Sequence, residues 1–161
     1  MSDQHYWFFL YNGAPENGQQ QLFTRTIDMA GETSLATLLR RMSPQLNAGE
    51  YVFCTLADGK LPAGVEIIGS FREQEGLTVI LERSYAEQAG LSFDYVAAWI
   101  TLNVHSALEA VGLTAAFATA LGKAGISCNV IAGYYHDHLF VGQTDAERAL
   151  HVLRELAANA E

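Results

Sequence analysis

Residues 99–158, "WITLNVHSALEAVGLTAAFATALGKAGISCNVIAGYYHDHLFVGQTDAERALHVLRELAA", decide the fold. The stretch opens on strict alternation, with Ile100, Leu102 and Val104 on one face and Trp99, Thr101, Asn103 and His105 on the other. The period then changes. Leu113, Phe117, Ala120, Leu121 and Ala124 recur at i, i+4, i+7, i+8 and i+11, the stripe of an amphipathic helix that Gly125 closes. Strands are expected at 126–132 and 136–142, joined by a turn at Gly133–Tyr135. Thr144-Asp145-Ala146-Glu147 reads as a capping box for a last helix with the stripe Ala146, Ala149, Leu150 and Leu153. The order β-α-β-β-α is a split βαβ, ferredoxin-like pattern short of its fourth strand. A sheet this small does not leave such an edge bare, so the missing strand is expected from the N-terminal half or from a second subunit.

Working outward, Leu35, Leu38, Leu39 and Met42 mark a short helix that Ser43-Pro44 ends. Strands are expected at 50–56, at about 66–72 and at 77–82, where Leu77, Val79 and Leu81 face one way and Thr78, Ile80 and Glu82 the other. "SYAEQAG" gives one or two helical turns closed by Gly90. Residues 1–28 stand apart as an N-terminal extension or hairpin, and Met29 opens a segment that reads like a natural start. The fold expected is α+β, two interlocked ferredoxin-like modules with antiparallel sheets, divided as 1–28, 29–95 and 96–161.

Composition narrows the function classes. The 161 residues carry a formal charge of −9, and the nine basic side chains are scattered apart from Arg40-Arg41. That argues against nucleic acid, which needs clustered Lys and Arg. No apolar run approaches the roughly 20 residues of a membrane span, so no membrane partner is expected. Cys54 and Cys128 sit in strand-like runs and fit small buried thiols in a reducing cytoplasm.

Two places could carry chemistry. On the strand face opposite the helices, His105, His136 and His138 could converge, the minimum shell of a metal site. The same rings are better read as lining a sheet or subunit interface. No nucleophile stands near them, and Asp137 points to the other face. The second place is the loop before the long helix. Gly112 there permits close backbone approach, the helix N-terminus offers unpaired N–H groups to an anion such as an amino-acid carboxylate, and Asn129 on the next strand could add an amide. A plain tight turn at Gly112, with Asn129 satisfying nearby backbone, remains open beside that reading.

"AVGLTAAFATALGKAGISCNVIAG" resembles the signature of the ACT domain, a small βαββαβ regulatory module, and the likeness continues through "YYHDHLFV" and "DAERALHVLREL". The segment from Met29 through "LNAGEYVFCTL" to "EGLTVILER" resembles the preceding half of bacterial tandem ACT-domain proteins, a group largely without assigned function. The resemblance implies a ligand-binding regulator, not an enzyme, that takes a small molecule, most often an amino acid, between paired modules and needs no cofactor. Carried across, it implies ligand contacts from Ser106, Ala110, Val111, Gly112, Leu113 and Thr114 in the loop, and from Cys128 and Asn129 on the facing strand. It also implies a homo-oligomer. ACT domains commonly regulate a catalytic domain on the same chain; here a separate regulated protein is expected instead. A metal-binding protein at the histidines, or a purely structural interaction module, stays open as an alternative.

Overall fold

A computed structural model describes residues 34–104 and 110–160. The expected extension at 1–28, together with His105 and Ser106, lies outside the described residues. Helix α1 (Leu35–Arg41) is followed by strands β1 (Ser43–Leu46), β2 (Tyr51–Leu56), β3 (Gly69–Arg72) and β4 (Leu77–Glu82), then α2 (Arg83–Gln88). The second half contributes β5 (Val96–Asn103), α3 (Leu113–Lys123), β6 (Cys128–Ala132), β7 (Asp137–Gly142) and α4 (Ala146–Ala158).

All strands join one antiparallel sheet in the order β3-β4-β2-β5-β7-β6, with β1 also beside β5. Numbered within each half, this is one topology twice. In the C-terminal unit β5, β6 and β7 are strands one, two and three, and β1 is the fourth. In the N-terminal unit β2, β3 and β4 play those parts, and the start of β5 is the fourth. Each is a ferredoxin-like unit completed by a strand from the other half. The strand that residues 99–158 lack is therefore β1, supplied by the N-terminal half.

The sequence explains how one segment serves both units. From Leu46 to Tyr51 the chain takes five residue steps while its partner β5 takes three, from Ile100 to Ala97, so Asn47–Glu50 form a bulge two residues long. Asn47 holds it: its backbone N–H donates to the Trp99 carbonyl at 2.8 Å, and its amide donates to Thr101 Oγ1 at 2.9 Å. Among the described residues β1 pairs only with β5, the edge position in which a strand tolerates Pro44.

Alternation then sorts the side chains. Ala98, Ile100 and Leu102 face the helices and share a core with Leu38, Leu113, Phe117, Leu139 and Leu153. Val52, Cys54, Val79 and Leu81 build a smaller core under α2. The opposite, concave face carries Tyr51, Ile80, Ala97 and Phe140, with Phe53, Trp99 and Ile131 packed against them. α4 buries the whole stripe its sequence marks, and α3 buries Leu113, Phe117 and Leu121 of its own, with Ala120 and Ala124 half-buried. The expected capping box does not form. Gln143–Asp145 make a 3-10 turn, and no side chain caps α4. Asp145 instead accepts from Arg148 at 2.5 Å, and Arg148 also donates to the Ala124 carbonyl, tying the start of α4 to the end of α3.

Candidate functional site

At the α3 N-terminus the chain must turn sharply from β5 onto the helix face, and Gly112 does so with φ +102°. A Cβ there would stand 3.0 Å from Leu35 Cδ2, so the glycine also makes room for α1. Part of the close approach expected for a ligand at Gly112 is thus taken by Leu35. Around the first turn Val111 is 84% exposed, and Thr114 and Ala115 are exposed. Leu113 is buried and belongs to the core, and Ala110 is half-buried against it. Close to the strand end where this loop leaves, Asp137 enters from the helix face, 8% exposed and in register with Leu102. Burial raises its carboxyl above the ordinary 3.8, and the neighbouring His138 and His136 offset part of that rise.

The concave face holds the second cluster. His138 Nδ1 lies 3.1 Å from Trp99 Nε1 and 3.2 Å from Thr101 Oγ1. An indole N–H only donates, so His138 Nδ1 accepts and its ring proton sits on Nε2. Burial lowers the His138 pKa below 6.5, His136 lowers it further, and Asp137 opposes both. Geometry and electrostatics agree on a neutral ring. His136 faces the other way in the network, its Nδ1 3.3 Å from the Val104 carbonyl, an acceptor. Each ring therefore commits its Nδ1 to a protein contact. Among the described residues no group of three His, Cys, Asp or Glu side chains is placed to hold a metal.

Comparison with known proteins matches an ACT-domain model to residues 30–98 and a second ACT-domain model to residues 95–155. A solved structure of a protein of unknown function from Vibrio cholerae, described as a possible transport protein, is 55% identical, with a TM-score of 0.69 over 78% of this chain and 97% of that one. The chain belongs to the ACT-domain family. A protein from Agobacterium tumefaciens is 21% identical, with a TM-score of 0.58 over 73% of this chain and 90% of that one. The regulatory subunit of aspartate kinase from Thermus flavus is 9% identical, with a TM-score of 0.55 over 71% and 96%. These two share the fold. A search of curated proteins finds no match.

In this tandem ACT protein the residues marked in sequence do not all meet. Cys128 and Asn129 are in register, through β7, with Ala98 and Trp99, at the start of β5. The loop to Gly112 leaves the other end of β5, after Asn103, about 15 Å along the strand at 3.3 Å per residue. Asn129 lies on the concave face, its amide 3.5 Å from the Phe140 carbonyl, while half-buried Cys128 packs against the helix-side core. What the sequence reading missed is how the concave faces of the two ACT units combine. The alternating aromatics Tyr51, Phe53, Trp99 and Phe140 were its visible signal, with Tyr51 and Trp99 edge to face at 5.3 Å.

Proposed function

We propose that this chain is a regulatory protein that binds an amino acid at the open N-terminus of α3, with the ligand carboxylate on the first-turn N–H groups of Leu113, Thr114 and Ala115. One observation carries the reading: the chain holds two ACT units in tandem, and Thr114 and Ala115 in the first turn of α3 are exposed. Because Gly112 and Asn129 lie at opposite ends of the sheet, a ligand touching both bridges two units, which favours a paired assembly of chains. Ser106 and Ala110 complete the loop side in this reading, and Cys128 with Asn129 the facing side. Regulation then acts on a separate protein. Two free cysteines, Cys54 buried and Cys128 half-buried, suit the reducing cytoplasm. No helix among the described residues is long and apolar enough to cross a membrane.

Thermal denaturation in the presence of each standard amino acid tests the reading. A true ligand at a hundredfold excess over its dissociation constant stabilises by about 2.7 kcal/mol; no shift with any of them at millimolar concentration sinks the proposal. Gly112 is a poor target, since its positive φ and the Leu35 contact make any side chain a folding defect. Thr114→Glu separates the two effects. A carboxylate in the first turn stabilises α3 by roughly 0.3–1 kcal/mol yet repels an anionic ligand. The midpoint without ligand should rise slightly while the ligand-induced shift disappears.

A further inference from the structure

On the concave side, strands β3 and β6 are the two ends of the sheet order, yet residues from both line one cavity. The sheet curls far enough to leave a half-open cavity of about 270 Å³ between Ile68, Gly69, Trp99, Ile131, His138 and Phe140. No charged side chain contributes to this lining, provided His138 is neutral, and its Nδ1 contact with the Trp99 N–H makes it so.

Gly69 is the telling residue. It lies in β3, without the positive φ that would demand glycine. A Cβ built on it meets nothing closer than Ile80 Cδ1, at 3.9 Å. Neither backbone nor packing excludes a side chain there, and an unfilled apolar cavity costs stability in proportion to its volume. The missing side chain keeps the space open. The Trp99 and Phe140 rings stack within 14° of parallel, with centroids 6.1 Å apart, and of the two only half-buried Trp99 offers open ring surface. With Nδ1 occupied by the Trp99 and Thr101 contacts, the donor remaining on the His138 ring is Nε2–H, beside Gly133.

We propose that this cavity binds a small, flat, uncharged aromatic molecule with one hydrogen-bond acceptor at its ring edge, which accepts from His138 Nε2–H. A zwitterionic amino acid does not fit the requirement, because nothing in the lining compensates its charges. The site is separate from the α3 N-terminus and stands or falls without it.

The experiment uses the full chain carrying Trp7→Phe, so that Trp99 gives the one indole N–H signal in a nitrogen-15 correlation spectrum. Quinoline supplies fused rings with a nitrogen acceptor, and naphthalene the same shape without it. The expected result is a saturable shift of the Trp99 signal with quinoline and a weaker one with naphthalene. Gly69→Leu should abolish both by filling the cavity. Should that variant fail to fold, Ile131→Phe closes the space from β6 and should do the same. His138→Phe should remove the preference for quinoline over naphthalene. Thr114→Glu should leave the quinoline titration unchanged. Absence of a saturable shift up to the solubility limit, or a shift that survives the cavity-filling variant, overturns the proposal. Loss of the shift in Thr114→Glu would overturn the independence of the two sites.

Discussion

The two ACT units share a topology and differ in what covers it. Between its first and second strands the C-terminal unit places α3, whose Leu113, Phe117 and Leu121 are buried. Between the equivalent strands, β2 and β3, the N-terminal unit has only the irregular segment 57–68. Among the described residues the consequence is a core of sixteen buried residues in one unit against six in the other. The imbalance is widened by α1, which precedes the N-terminal unit in sequence but packs Leu38 and Met42 into the C-terminal core. The lesson is that the N-terminal unit is completed by its neighbour. Its fourth strand is β5, and its concave face shares Tyr51 and Ile80 with Phe140 and Ala97.

The sharpest way to break that comparison is to empty each core in turn. Phe117→Ala removes a fully buried ring and should cost about 3–5 kcal/mol, lowering the urea midpoint of the whole chain. Leu81→Ala, also fully buried, should cost about 2–5 kcal/mol, and its effect should appear first as faster amide exchange in β3 and β4 while β5 and β7 stay protected. Equal loss of protection in both units would show that the sheet unfolds as one body.

A middle-sized effect comes from the concave face that joins the units. His138 is held neutral, its pKa lowered from 6.5 by burial, by His136 and by the donor at Nδ1. For a base with a lowered folded pKa, the unfolded chain takes up the proton first. The stability this provides is complete above pH 6.5 and is lost as pH falls through the lower folded value. Asp137 acts in the opposite sense: its raised carboxyl contributes stability that is full below 3.8 and is lost as pH rises. The His138 contribution to unfolding free energy should fall from pH 7 downward by at most about 1.4 kcal/mol per pH unit for one proton, with Asp137 opposing it. His138→Gln should flatten the slope between pH 6.5 and 5. An unchanged slope would remove His138 from the account.

Much of this was legible because periodicity reports burial. The stripes of α3 and α4, the two faces of β4 and the placement of His138 opposite Asp137 all follow from spacing alone. Pairing is where spacing stops. β5 begins at Val96, not at Trp99, because Val96 and Ala97 pair with β2, a neighbour that no local pattern names. "SPQL" reads as the stop of α1 and becomes β1 only through its register with Asn103–Ile100. For the candidate site, Gly112 and Asn129 were visible as residue types, whereas their separation along β5 depends on the order of the whole sheet. The cavity under Gly69 was not legible at all, since it exists only because the ends of the sheet curl together.

The smallest test uses two tyrosines at the joint. Tyr51, from the N-terminal unit, donates its hydroxyl proton to the Ala48 carbonyl at 2.6 Å. Tyr95, in the segment leading into β5, buries a hydroxyl with no partner among the described residues, and burial followed by the nearby Asp145 raises its pKa above 10.0. Both rings belong to the concave cluster, so removing either hydroxyl leaves the apolar contacts in place. Tyr51→Phe should cost about 1 kcal/mol, the net worth of one hydrogen bond. Tyr95→Phe should be neutral or stabilising by up to about 1 kcal/mol, because an unsatisfied buried hydroxyl carries a desolvation cost that phenylalanine lacks. Opposite signs would place the strain at the joint in the backbone's route from α2 into β5, where Tyr95 is carried into the core without a partner. Equal losses would mean that the Tyr95 hydroxyl is bonded in solution, and the joint between the units is then wetter than its packing implies.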